Sequence, residues 1–170
     1  MSEAGIDPLQ IDPELAGKYD YRVSMYTEYP HRNRWREISE KYLKNVWRKF
    51  LLSQPEASFL LYIHILYCLK PCYYCTCHFE VTHRYEDVKH YLGLLFREID
   101  HYRAFFDGVG ISPRIREIHL GGGSPTILHE EEFEELMRRI RMLADLEGMV
   151  EYAIEIDPRH VKESGMKYYA

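Results

Sequence analysis

The chain has 170 residues, of which 46% are hydrophobic and 29% charged: enough for one domain with a real core, and too apolar for disorder. A net charge of -5, from 27 acidic and 22 basic residues, offers no basic footprint for nucleic acid. Met1 is followed by polar and acidic residues, and the longest apolar run, Phe59 to Leu69, is interrupted by His64 and too short to span a bilayer, so neither a signal peptide nor a membrane partner is expected and the setting reads as soluble, reducing and cytoplasmic.

Residues 1–17 lack periodicity and contain Pro8 and Pro13, which predicts a loose arm. Pro30 stops any helix in the segment Met25 to His31. From Ile38 the apolar positions Tyr42, Leu43, Val46, Trp47 and Phe50 recur at helical spacing, which predicts a helix that ends before Pro55. Residues 1–57 thus read as an N-terminal arm and helix, and residues 58–170 as the core.

Phe59 to Ile65 is a nearly continuous apolar run, the pattern of a strand buried on both faces of a parallel sheet. Behind it lie all four cysteines of the protein, Cys68, Cys72, Cys75 and Cys77. Val88, Leu92, Leu95, Ile99, Tyr102 and Phe106 then step along a long amphipathic helix, ended by Gly108 and Gly110. A second strand, Arg116 to Leu120, runs into Gly121-Gly122-Gly123-Ser124-Pro125-Thr126. The next helix passes through Phe133, Leu136, Met137, Ile140 and Leu143, with its opening acids favourably placed against the helix dipole and His129 as a weak cap. A third strand, Glu151 to Ile156, leads into Asp157-Pro158-Arg159. Strands alternating with helices make βαβ units, so the fold class is α/β with parallel strands.

The cysteine loop, the glycine run and Glu155 all fall at carboxyl ends of strands, where sheets of this kind gather their active residues. Four thiols spaced by three, two and one residues suit one small inorganic object, in the manner of an iron-sulfur cluster. A zinc site more often joins two separated ligand pairs, and disulfides across such short loops stabilise little. The glycines bring bare backbone close to a ligand or make an ordinary flexible turn. Glu155 is a solvent-facing strand residue or an acid that needs a partner such as ribose hydroxyls, and His64 is a satisfied core histidine or a donor near the cluster. Fifteen tyrosines suit pocket walls as well as core packing.

The spacing of Cys68, Cys72 and Cys75 resembles the cluster loop of the radical S-adenosylmethionine (SAM) enzymes. Over residues 18–160 the chain resembles, more narrowly, the oxygen-independent coproporphyrinogen III oxidases. The matching marks are Tyr26-Thr27-x-Tyr29-Pro30, Tyr62-x-His64-Ile65, the cysteine loop with its additional Cys77, the run Gly121 to Thr126, and Glu155-Ile156-Asp157-Pro158-Arg159. Leu66 and Tyr67 replace the family's usual Pro-Phe, Thr76 stands where glycine is common, and Met25 takes the place of an arginine.

That resemblance implies the N-terminal part of a radical SAM partial (β/α) barrel, preceded by a mostly helical arm. It implies a 4Fe-4S cluster on Cys68, Cys72 and Cys75, with the fourth iron open to SAM, and Cys77 as a catalytic residue that binds no iron. Tyr62, Tyr74 and Thr76 would contact SAM, Gly122, Gly123 and Ser124 would line its methionine end or a second SAM, and Glu155 would hold ribose. The implied chemistry is radical oxidative decarboxylation of coproporphyrinogen III to protoporphyrinogen IX, in porphyrin and haem biosynthesis, supplied by an electron donor. Three strands do not close a barrel, so a fragment or truncated product is expected, with a second polypeptide completing the site. The alternatives are a noncatalytic cluster-, SAM- or haem-binding relative and an inert remnant.

Overall fold

The computed structural model describes residues 13–20, 32–161 and 163–169. The chain divides into two compact units, residues 1–39 and 40–170. In the first, helix α1 (Pro13–Tyr19) overlaps the stretch expected to be a loose arm. Pro13 opens it at a position where a missing N–H costs nothing. The Tyr26 to Pro30 mark and Met25 lie outside the described residues.

The second unit begins with α2 (Glu40–Ser53), so this helix travels with the sheet that follows it. Its inward stripe is the half-buried Leu43 and Trp47 and the buried Leu51, with the Trp47 ring 5.5 Å from Phe59 and 6.4 Å from Phe106. Tyr42, Val46 and Phe50, expected on that stripe, are exposed. Next come β1 (Ser58–Ile65), β2 (Tyr67–Cys68), β3 (Glu80–Val81), α3 (Tyr85–Val109), β4 (Arg114–Gly122), α4 (Glu130–Leu143), β5 (Glu151–Ile154) and α5 (Glu163–Tyr169). Helix α3 runs through Gly108 and stops at Gly110, whose φ of 76° and N–H bond to the Phe106 carbonyl close the last turn. No His129 side chain caps α4; the Tyr85 hydroxyl accepts the His129 N–H at 2.9 Å, beneath a stacked His129 ring.

Strands β1, β4 and β5 form one parallel sheet with β4 in the middle. Strand β4 is longer at both ends than its apolar pattern predicted, because it pairs with β1 from Ser58↔Arg114 to Ile65↔Gly122. Strand β5 stops two residues early: Glu155 still donates its N–H to Leu120, after which the chain turns.

Ile63, Ile65, Ile115, Ile118 and Leu120 bury one sheet face against Val88, Leu92, Leu95 and Ile99 of α3 and Phe133, Leu136 and Ile140 of α4. The other face is open, with Leu60 59% and Tyr62 48% exposed, so the expectation of burial on both faces is corrected. The strands are added in one direction, β1 to β4 to β5, and right-handed crossovers then place both helices on the same side.

The end of β4 meets the end of β1 through backbone alone. Gly123 donates its N–H to Ile65 at 2.6 Å, and Ser124 donates to Tyr67 at 2.9 Å. A Cβ at Gly123 would lie 2.8 Å from the carbonyl oxygens of Ile65, Leu66 and Tyr67, and at Gly122, with φ of 105°, it would strike the His64 ring.

Gly123→Ala is therefore expected to destabilise the chain by about 1–3 kcal/mol, whereas Gly93→Ala, inside α3 with nothing within 4 Å, should stabilise it by about 0.5–1 kcal/mol; urea unfolding of the two variants measures both. A second prediction concerns Glu135, gripped by Arg138 and Arg139, whose carboxyl falls from its ordinary 4.5 to about 2. A lowered folded-state pKa gives stability that is present above 4.5 and lost as pH falls through about 2. Glu135→Gln should thus lower the unfolding midpoint at neutral pH, with the difference vanishing near pH 2 in an acid series followed by circular dichroism.

Candidate functional site

The cysteine loop is held at its root. Strand β2 pairs in parallel with β3, and Thr82 donates its N–H to the Cys68 carbonyl, so the chain between Cys68 and Glu80 is a closed excursion. His64 ties the far side: its Nε2–H donates to the His78 carbonyl at 2.8 Å, which leaves Nδ1 to accept the Tyr62 hydroxyl at 3.1 Å. Of the two readings of His64, the structure shows the satisfied histidine, employed in fixing the loop.

Beyond this root lies a cavity of about 350 Å³, lined by Cys68, Cys72, Cys75, Cys77 and Tyr74 from the loop, by Gly122, Gly123 and Ser124 from the end of β4, and by Glu155 from the end of β5. Three separate stretches of sequence meet there, each at the carboxyl end of a parallel strand. The Glu155 carboxylate accepts the Gly122 N–H at 3.2 Å and stands 3.4 Å from His119 Nε2 without the alignment of a hydrogen bond. Ser124 is buried, its hydroxyl 3.1 Å from that of Thr126. Two expected residues do not line the cavity. Thr76 is exposed on the loop. Tyr62 lies on the open sheet face alongside, close enough that burial and then the charges of Glu155 and Cys77 push its phenol up.

All four cysteines are free. Burial pushes the Cys68 thiol up, and Cys75 and Cys72 push it further. Burial also raises Cys77, with Cys75 and Glu155 adding to it. Burial and neighbouring cysteines thus disfavour the thiolate at both Cys68 and Cys77.

Residues singled out only as part of a motif complete the wall. Arg159 and Asp157 form an ion pair at 2.7 Å, and Arg159 Nη2 also donates to Cys72 Sγ at 3.2 Å. The signal was the spacing itself: an acid and a base two residues apart around Pro158 sit in one turn and face each other.

Among the described residues no three His, Cys, Asp or Glu side chains converge on a single point. A polynuclear cluster instead takes one thiolate at each of several separate metal corners. Four thiols free of disulfides line one cavity, and they are the donor type such a cluster takes.

A search of protein-family models finds no match. Relatives are found by sequence. The chain is 33% identical over 147 residues to an oxygen-independent coproporphyrinogen III oxidase from Mannheimia haemolytica, an alignment covering 86% of this chain and 96% of the relative. The chain belongs to the oxygen-independent coproporphyrinogen III oxidase family. It is 35% identical to the protein of that name from Escherichia coli (strain K12) over 90% of its own length and 32% of the relative's. The solved structure of coproporphyrinogen III oxidase from Escherichia coli, described as a radical SAM enzyme, superposes with a TM-score of 0.71 at 29% identity, over 85% of this chain and 32% of that one. The fold is thus that of part of a radical SAM protein, and the chain spans about a third of the length of these Escherichia coli relatives. No helix among the described residues is long and apolar enough to cross a membrane.

His64→Ala is expected to free the far side of the loop. It removes two hydrogen bonds and should cost about 1–3 kcal/mol, and amide exchange should quicken between residues 69 and 79 while that of β4 is unchanged, as read by hydrogen-exchange mass spectrometry.

Proposed function

We propose that residues 58–170 are the cluster- and SAM-binding part of a radical SAM oxidative decarboxylase, with coproporphyrinogen III as the substrate of the complete enzyme. The observation that carries this reading is the single cavity at the strand ends, which joins the cysteine loop, the glycine run and Glu155. In it Cys68, Cys72 and Cys75 hold a 4Fe-4S cluster and Cys77 stays off the iron. When bound, the cluster supplies one electron to SAM, whose cleavage yields the species that takes hydrogen from substrate.

The rest is the work of this chain. Backbone groups of Gly122 and Gly123 and the Ser124 hydroxyl offer donors and acceptors to the methionine end of SAM. Glu155, at the end of β5 with one oxygen already on the Gly122 N–H, keeps lone pairs for ribose hydroxyls. Tyr74, 86% exposed at the mouth, provides an aromatic face for the nucleoside, and Tyr62 borders the site from the sheet. Thr76, between the cavity-lining Cys75 and Cys77, contacts SAM through its backbone only, at the edge of the site. The open face of the sheet and the single neighbour of β5 favour a second polypeptide that supplies further βα units, and an electron donor serves the assembled site. The relatives' name supports the substrate, and porphyrin biosynthesis is the setting that follows from it.

The test is oxygen-free loading with iron and sulfide. Wild type should take up about four irons per chain and bind SAM with a saturable change in the cluster spectrum. Serine at any one of Cys68, Cys72 and Cys75 should abolish the cluster, and Cys77→Ser should keep it. Uptake that survives these replacements refutes the reading. A cluster that binds SAM but releases no 5′-deoxyadenosine on reduction would mark a noncatalytic binding protein, and no cluster at all would mark a remnant.

A further inference from the structure

Arg159 stands 87 residues beyond Cys72 in sequence, yet its guanidinium lies against the cysteine loop. Its Nε donates to Asp157 Oδ1 at 2.8 Å and its Nη2 to Asp157 Oδ2 at 2.7 Å, a two-pronged grip that fixes the plane of the group. From that plane the remaining Nη2–H is shared between the Lys70 carbonyl at 3.1 Å and Cys72 Sγ at 3.2 Å. Asp157 is itself anchored. His160 Nδ1 lies 3.0 Å from its Oδ2, the Arg159 backbone N–H donates to its Oδ1 at 3.0 Å, and its side chain is 11% exposed. The direction of the guanidinium is therefore set from the β5 side and does not depend on the thiol it meets. Among the described residues no other cationic side chain donates to a cysteine sulfur.

We propose that Arg159 is a positioning residue that raises the reduction potential of the cluster by donating a hydrogen bond to the Cys72 sulfur. The inference rests on the cluster reading above and adds to it a role for a residue outside the ligand set. Hydrogen bonds to cluster sulfurs are among the levers that set an iron-sulfur potential. When one electron enters the cluster, its thiolate sulfurs become more electron-rich. A donor held at one of them stabilises the reduced form more than the oxidised form, with no bond broken and no proton transferred. Arginine suits the place because its planar fork holds the carboxylate with Nε–H and one Nη2–H and leaves the second Nη2–H shared between the sulfur and the Lys70 carbonyl; a lysine has no such fixed plane. Asp157 balances the charge of Arg159 at the turn, so what reaches Cys72 is chiefly the directed N–H.

The test uses the whole chain loaded without oxygen, titrated with dithionite as the one-electron reductant and followed by electron paramagnetic resonance, with iron counted in each sample. Arg159→Gln is expected to keep its iron and to be reduced about tenfold less favourably, a fall of about 59 mV for a one-electron couple. Arg159→Lys should fall between the two. A loaded Arg159→Gln protein at the wild-type potential overturns the proposal while leaving the cluster reading intact. A wild-type chain that takes up no iron overturns the cluster reading and, with it, this one. Should Arg159→Gln itself fail to load, Arg159→Lys decides: loading at a potential below wild type supports the role, and loading at the wild-type potential or failing to load overturns it.

Discussion

The junction of Gly123 with the carbonyls of Ile65, Leu66 and Tyr67 is the contact on which the strand-end rim depends. Two strands pair along their length, but only where side chains vanish does the exit of β4 reach the exit of β1 closely enough for a 2.6 Å hydrogen bond. That bond sets where the cysteine loop starts. The same turn then reaches β5, through the Gly122 N–H on the Glu155 carboxylate and the Glu155 N–H on Leu120. Three loops that are distant in sequence are thereby fastened into one rim by backbone donors, and the cysteines hang from it.

The loop carries its own electrostatic tension. Burial disfavours ionisation of Cys68 and Cys77, and neighbouring cysteines add to the cost at both. Arg159 acts against that trend on Cys68, and its hydrogen bonds hold the Asp157 carboxyl well below the usual carboxylate range, so the pair persists as charges beside the thiols. The open face of the sheet, with Leu60, Tyr62, His64 and His119, lies beside the same rim.

Much of this was legible because it is local. Apolar periodicity located α3 and α4, since a helix must turn one stripe inward whatever its neighbours are. The cysteine spacing pointed to cluster chemistry because all the ligands lie within ten residues and need no tertiary contact to be seen together. The positions of the glycine run and Glu155 at strand exits followed from the alternation of strands and helices. Strand lengths were less legible: β4 extends as far as its partner does, and β5 stops where the turn at Asp157 and Pro158 begins, neither of which is a property of the strand's own residues.

The sequence by itself determined α2, α3, α4 and the three strands of the main sheet in their order, because periodicity is written in neighbouring residues; α1, the short pair β2 and β3, and α5 were not read from it. Tertiary structure alone decided that one face of the sheet is open, that His64 is spent on holding the loop, that Thr76 is not among the residues lining the cavity, and that Arg159 meets Cys72. Each of these depends on crossover handedness, on register or on a contact spanning many residues, and such relations exist only once the strands have paired.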